Sequence, residues 1–399
     1  MAVSLVLLLA LSSLIPSYCA GNVCDLGRRP DTRPHSVSIL EFGAVGDGKT
    51  LNTLAFQNAM FCLKSFTTKG GAQLYIPPGR WLTGSFSLTS HLTLFLERDA
   101  VILASQDFRR RSFQFLISFR DSYGQGLVWW DRFYSHSLKY SRPHLVEFVS
   151  SENVIVSNLT FLNAPAYTIH SVYCSHVYIH KVTANASTES PYTIGIVPDS
   201  SDNVCIHDSS INMGYDAISL KSGWDEYGIS YARPTDSSIS FGSEMSGGIS
   251  DVEVSDAHMH NSLSGISFRT TKGRGGYMKE IDISGIHMVN VGTAFLANGS
   301  FGTHPDSGFD AKAFPLVSHL ILHDIVGENI SIAGGFFGTK ESPFTSVLLS
   351  NISLSMVNSV SAAYSWDCSY VDGSSESVVP EPCPELKSFD SSSGRAVAL

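Results

Sequence analysis

Two groups of residues in this chain have the types and spacing that chemistry needs. The first is a set of carboxylates. Asp216 is followed nine and ten residues later by Asp225 and Glu226. Neighbouring carboxyls can push their proton affinities apart, so that one donates a proton while another activates water. The second is a basic cluster, Arg269, Lys272, Arg274 and Lys279, within the glycine-rich stretch from Phe268 to Lys279. The whole chain has 26 Lys+Arg against 36 Asp+Glu, a formal charge of −10. In so acidic a chain a local cationic strip is an attractor for an anionic ligand, and arginine has the fork geometry that suits a carboxylate. Trp224, Tyr227 and Tyr231 offer ring faces between the two groups, although such aromatics more often simply pack.

A third pattern has a structural explanation. Gly43-Ala-Val-Gly-Asp-Gly48-Lys49-Thr50 satisfies the phosphate-loop spacing, between a strand-like run from Val37 to Phe42 and a helix-like run from Leu54 to Leu63. The rest of the chain lacks the alternating strand and helix pattern of a nucleotide-binding fold. The segment reads as a turn leading into an amphipathic helix that covers the open end of a repeat array. The 14 histidines show no metal-ligand spacing, and no Cys-x-x-Cys pair occurs. No metal or cofactor is expected.

The elements that must position these groups are legible as a repeat. Asn153-Val-Ile-Val, His176-Val-Tyr-Ile, Asn203-Val-Cys-Ile, Asp251-Val-Glu-Val, Glu280-Ile-Asp-Ile, His319-Leu-Ile-Leu and Ser346-Val-Leu-Leu each open on a polar residue, followed by apolar–x–apolar. The steps between their first apolar residues are 23, 27, 48, 29, 39 and 27. Coils of about two dozen residues with period-2 strands predict a parallel β-helix. A β-sandwich would space its strands more closely, about 8–12 residues apart. The step of 48 reads as two coils, one of them shortened between Gly228 and Gly242. Stacked coils share a core, so residues 21–385 are expected to form one domain and residues 386–399 a disordered tail.

The composition agrees with this architecture. Only 16% of residues are charged and 43% are hydrophobic, which excludes a disordered chain. The acidic balance argues against a nucleic-acid binder. Residues 1–20, with an apolar run from Val3 to Leu11 and a small-residue end at Ala20, read as a secretory signal peptide. No later stretch is long and apolar enough to span a bilayer. Removal of Cys19 with that peptide leaves Cys24, Cys62, Cys174, Cys205, Cys368 and Cys383, an even set that suggests disulfides. The pairing is not readable from the sequence, and Cys368–Cys383 is the most local bridge. Sequons at Asn158, Asn185, Asn298, Asn329 and Asn351 are candidate glycan sites in a secreted chain. A monomer is expected.

Several longer blocks resemble one family. Glu41-Phe-Gly-Ala-Val-Gly-Asp-Gly-Lys-Thr50 and Gly71-Ala-Gln-Leu-Tyr-Ile-Pro-Pro-Gly79 are similar to the opening of pectin-lyase-like proteins. Lys221-Ser-Gly-Trp-Asp-Glu-Tyr-Gly228, Gly242-Ser-Glu-Met-Ser-Gly-Gly248 and Gly273-Arg-Gly-Gly-Tyr277 resemble plant-type polygalacturonases of glycoside hydrolase family 28. The resemblance spans about residues 36–385. It implies an all-β, right-handed parallel β-helix with an N-terminal capping helix. It also implies inverting hydrolysis of galacturonan in pectin, without a metal, at the cell wall.

The chain departs from the family where that chemistry resides. An inverting glycosidase needs a protonated and an ionised carboxyl about 6.5–9.5 Å apart. Where the family has N-T-D-G, this chain has Tyr192-Thr193-Ile194-Gly195, and Val197 replaces a further aspartate. Where the family has G-D-D, it has Gly214-Tyr215-Asp216. The resemblance therefore leaves Asp216 as the catalytic candidate, in the position of a water-activating base. Tyr215 stands at the general-acid position. The R-I-K substrate motif becomes Ser267-Phe268-Arg269, so Arg269, with Lys272 beyond it, is the candidate for substrate binding. The expected function is an impaired pectin-directed glycoside hydrolase. The alternative is an inactive relative that binds or scaffolds wall polysaccharide.

Overall fold

The computed structural model describes residues 32–105, 126–231, 239–304, 308–357 and 365–388. The signal-peptide reading, Cys19 and Cys24 lie outside them. The described chain winds as a right-handed parallel β-helix, and the strand pairings among the described residues are parallel.

The repeat read from the sequence is the register of the fold. Val154, Val177 and Val204 are Cα partners in one ladder, and Val252, Ile281, Leu320 and Val347 in another. The polar openers have a backbone cause. Asn153, His176, Asn203, Asp251, Glu280, His319 and Ser346 all have φ between 52° and 57°. Each is the left-handed corner at which the chain turns into its strand. Asn and Asp tolerate that conformation best, because a short polar side chain can bond locally.

The candidate site lies on a different face of the coil. Its rungs are Val146–Val149, Tyr167–Val172 and Ile194–Asp199, then Ile218 to Lys221, Ser240–Phe241, and the ends of the long strands His258–Arg269 and Tyr277–Asn298. Bridges Ile196–Ile218 and Asp199–Lys221, followed by pairs Leu220–Phe241 and Phe241–Phe268, carry the ladder across the 48-residue step. That step holds two rungs of this face, as expected. Helix α3, Asp225–Tyr231, lies within that step.

Two further helices frame the stack. Helix α1, Thr53–Leu63, buries Ala55, Phe56, Ala59, Met60 and Leu63 over the first coils, as the capping reading requires. The phosphate-loop pattern before it is a turn closed by Asp47, whose carboxylate accepts from the Lys49 and Thr50 amides at 2.8 and 2.7 Å. Those bonds hold the Asp47 pKa down at about 2, so a carboxylate already sits on the amides that a phosphate would need. Helix α2, Gly126–Tyr134, is anchored by Trp130, whose Nε1 donates to the Ala164 carbonyl, and by the Tyr134 hydroxyl, which donates to the Glu189 carbonyl.

The apolar core departs from a single continuous stack. Buried side chains form one cluster from Ile39 to Val204 and another from Leu220 to Leu386. Between them lies the coil that carries Asp216. The Cys368–Cys383 bridge is present, while Cys62 and Cys174 are free thiols and Cys205 is disulfide-bonded. The expected tail boundary moves. Leu386–Ser388 adds a strand against Gly373 to Ser375, because Leu386 buries its side chain beside the bridged Cys383. Residues 389–399 lie outside the described residues.

Candidate active site

The coil geometry explains which parts of the family motifs persist. A Cβ on Gly195 would meet the Ala217 carbonyl at 2.4 Å, and one on Gly214 would meet the Ser190 carbonyl at 2.1 Å. Thr193 accepts from the Gly214 amide at 3.1 Å, and its carbonyl accepts from the Tyr215 amide at 3.1 Å. These residues clamp one coil to the next, so the backbone dictates them. Ile194 and Val197 are buried, whereas Tyr192 and Tyr215 are 58% and 42% exposed.

Asp216 and Arg269, fifty-three residues apart, meet in one buried pair. Arg269 donates to both Asp216 oxygens at 2.8 and 2.9 Å, and Ser240 Oγ donates to Oδ1 at 3.1 Å. Burial pulls the Arg269 pKa down, but the bonds and charge of Asp216 outweigh it and leave it above its ordinary value. The catalytic and substrate-binding candidates thus occupy each other. Burial pushes the Tyr215 phenol upward, which makes it a poorer proton donor still.

The rest of the basic cluster is dispersed. Arg274 is fully buried and donates to Asp225, which also contacts His304 Nδ1 at 3.0 Å. Asp225 is therefore no loose loop carboxylate poised to replace a missing acid. Trp224 packs under the Arg274 guanidinium at 4.2 Å. Lys272 is exposed over the Phe314 ring, and Lys279 lies over the Tyr277 ring.

Along the same face runs a polar network that sequence reasoning missed. Glu147 Oε1 is 3.0 Å from His170 Nδ1, and Asp199 Oδ2 is 3.6 Å from Nε2. Burial alone would lower the His170 pKa, but these two carboxylates raise it. His144 stacks on Tyr167 at 4.3 Å and is driven down to about 3 by burial and by the charge of His170. Lys221 donates to Glu244 at 2.7 Å and to the Tyr167 hydroxyl at 2.9 Å, which raises its pKa against burial. Ligand atoms of His144, Glu147 and His170 lie within 4.8 Å of one another, so this trio could accept a divalent cation. The one available signal was spacing: Glu147 and His170 are partners in register, one coil apart.

Aromatic and guanidinium groups form a continuous strip over this face. Arg142 lies 4.5 Å from the Phe133 ring, Phe133 is 5.8 Å from Tyr192, and Tyr192 is 5.3 Å from Tyr215. Arg269 then lies 5.2 Å from Tyr215 and 5.3 Å from Phe301. Two of the tyrosines are therefore substitutions at the family's motif positions. Of the sequon asparagines, Asn158, Asn185, Asn329 and Asn351 are exposed and Asn298 is half-buried.

Comparison with known proteins agrees with this architecture. The model of glycosyl hydrolases family 28 matches residues 121–378. A probable polygalacturonase of Vitis vinifera is 42% identical, over 89% of this chain and 81% of its own length. A probable polygalacturonase of Arabidopsis thaliana is 29% identical over 89% of this chain and 82% of its own. Among solved structures, the exopolygalacturonase of Thermotoga maritima superposes with a TM-score of 0.72 at 20% identity, covering 88% of this chain and 93% of that one. The polygalacturonase of Erwinia carotovora superposes at 0.65 and 18% identity, covering 87% and 98%.

Proposed function

This chain belongs to glycosyl hydrolases family 28, and on that premise we propose that it acts on the galacturonan backbone of pectin as an inverting glycosidase of reduced turnover. The observation that carries the reduced turnover is the Asp216–Arg269 pair. Asp216 is the remaining motif carboxylate on the face, and both its oxygens are engaged by a guanidinium. An activated water needs one of them. Tyr215 and Ile194 supply no acid, and a missing general acid typically forfeits about 10²–10⁴ in rate.

The site is read as a cleft in which the polymer lies along the strip, with Lys272 toward its carboxylates and Arg269 held by Asp216. The setting that fits this substrate is the cell wall, reached by secretion through the N-terminal signal peptide. No helix among the described residues is long and apolar enough to cross a membrane. The working unit is a monomer of one β-helix domain, with glycans on the exposed sequons.

The test is reducing-end release from polygalacturonic acid by purified protein, beside an Ile194→Asp/Tyr215→Asp double variant. We expect slow release by the natural chain, loss of that release in Asp216→Asn, and at least a tenfold gain in the double variant. Binding of the polymer with no release by either protein would replace hydrolysis with a binding role. Neither binding nor release would overturn galacturonan as the ligand.

A further inference from the structure

The buried cations of this face are matched to carboxylates, with one exception. Lys221 is paired with Glu244, Arg269 with Asp216, and Arg274 with Asp225. Arg142 is half-buried and meets no carboxylate among the described residues. Its Nη1 donates to the carbonyls of Pro165, at 2.9 Å, and Pro191. Its other guanidine nitrogens make no hydrogen bond among the described residues. Burial pushes its pKa down, the expected cost of a desolvated charge without a counter-ion. The two carbonyls fix the guanidinium in place and leave its charge without a carboxylate among the described residues. Such a group is preorganised to accept an anion.

The surroundings define what kind of anion. Phe133 lies against the guanidinium, and Tyr192, 58% exposed, lies against Phe133. Ring faces beside a cation suit a ligand with an apolar face and a carboxylate at its edge, which describes a uronic acid pyranose. We propose that Arg142, backed by Phe133, binds the carboxylate of one galacturonate unit whose ring rests on the exposed face of Tyr192. This end of the strip then discriminates free galacturonan from methyl-esterified galacturonan, because esterification removes the charge that Arg142 reads. The inference rests on galacturonan being the ligand.

The experiment is affinity electrophoresis of the full chain in polygalacturonate and in fully methyl-esterified galacturonan, with trigalacturonate calorimetry as the quantitative arm. The natural protein should prefer the free acid. Arg142→Gln should weaken trigalacturonate binding at least tenfold and abolish the preference, and Arg142→Lys should keep part of it. Tyr192→Ala should weaken binding to both polymers while the preference remains. A folded Arg142→Gln variant that binds both polymers like the natural chain overturns the role of Arg142 and leaves the galacturonan reading standing. A natural chain that binds neither polymer overturns both. If Arg142→Gln fails to fold, phenylglyoxal labelling of the natural chain decides: trigalacturonate should protect Arg142, and unaltered labelling overturns the proposal.

Discussion

Arg142 and Arg269 stand at two places on one aromatic strip and differ in what answers their charge. Arg269 is held by both oxygens of Asp216. Arg142 is held by two peptide carbonyls, which orient it without neutralising it. The sequence motifs point to Arg269 as the residue that meets substrate, since it sits in the altered R-I-K position. A guanidinium bound bidentately to a carboxylate has its fork already engaged, whereas Arg142 meets no carboxylate among the described residues. The comparison teaches that a cation on a binding face is a ligand site only when nothing within the protein has satisfied it.

The largest expected effect breaks the paired side of this comparison. Asp216→Asn leaves the Arg269 charge buried, at 9% exposure, without its partner. Removing one partner of a buried pair costs about 3–5 kcal/mol, to be read as a fall in the urea unfolding midpoint. An unchanged midpoint would mean that the pair opens in solution and that Arg269 is available after all. The same variant must therefore be checked for folding before its lost activity is assigned to chemistry.

Arg142→Gln tests the unpaired side and should cost less, about 1 kcal/mol, because it removes two carbonyl bonds while relieving a desolvated charge. A cost as large as that of Asp216→Asn would show that a counter-ion does reach Arg142. Tyr192→Ala sharpens the contrast further. A ring that is 58% exposed and outside the two apolar clusters should change stability by less than about 0.5 kcal/mol, so any loss of polymer binding reports contact alone.

The same contrast recurs in two histidines, where it is read as a pH dependence. His170, flanked by Glu147 and Asp199, has a raised folded pKa. Its contribution is present in full below the unfolded value near about 6.5 and is lost as pH rises through the folded one. His144 has its folded pKa lowered to about 3. The unfolded chain takes up a proton there below about 6.5 that the folded chain refuses, so stability falls as pH drops toward 3. Unfolding midpoints from pH 4 to 8 should lose their alkaline decline in His170→Asn and part of their acid decline in His144→Phe. Unaltered profiles in both variants would remove these histidines from the pH response.

How much of this was legible depended on what each residue does. The openers of the repeat were readable because a left-handed corner recurs at every coil and limits which residues can stand there. Gly195, Gly214 and Thr193 were readable as motif survivors, and the close approaches explain why they survived. The loss of acid chemistry at Ile194 and Tyr215 was also plain in the residue types. Partnership was not legible. The basic stretch from Arg269 to Lys279 reads as one strip, yet successive side chains leave the chain in different directions and find Asp216, Phe314, Asp225 and Tyr277. Glu147, His170, Asp199 and Lys221 belong to separate coils, and only stacking makes them neighbours.

By itself, then, the sequence determined the coil, its register and the absence of the usual acids, because those follow from local backbone geometry and side-chain identity. Only the tertiary structure pairs Asp216 with Arg269 and leaves Arg142 without a carboxylate among the described residues. Net charge interaction depends on distance and burial between residues that the chain brings together only by winding.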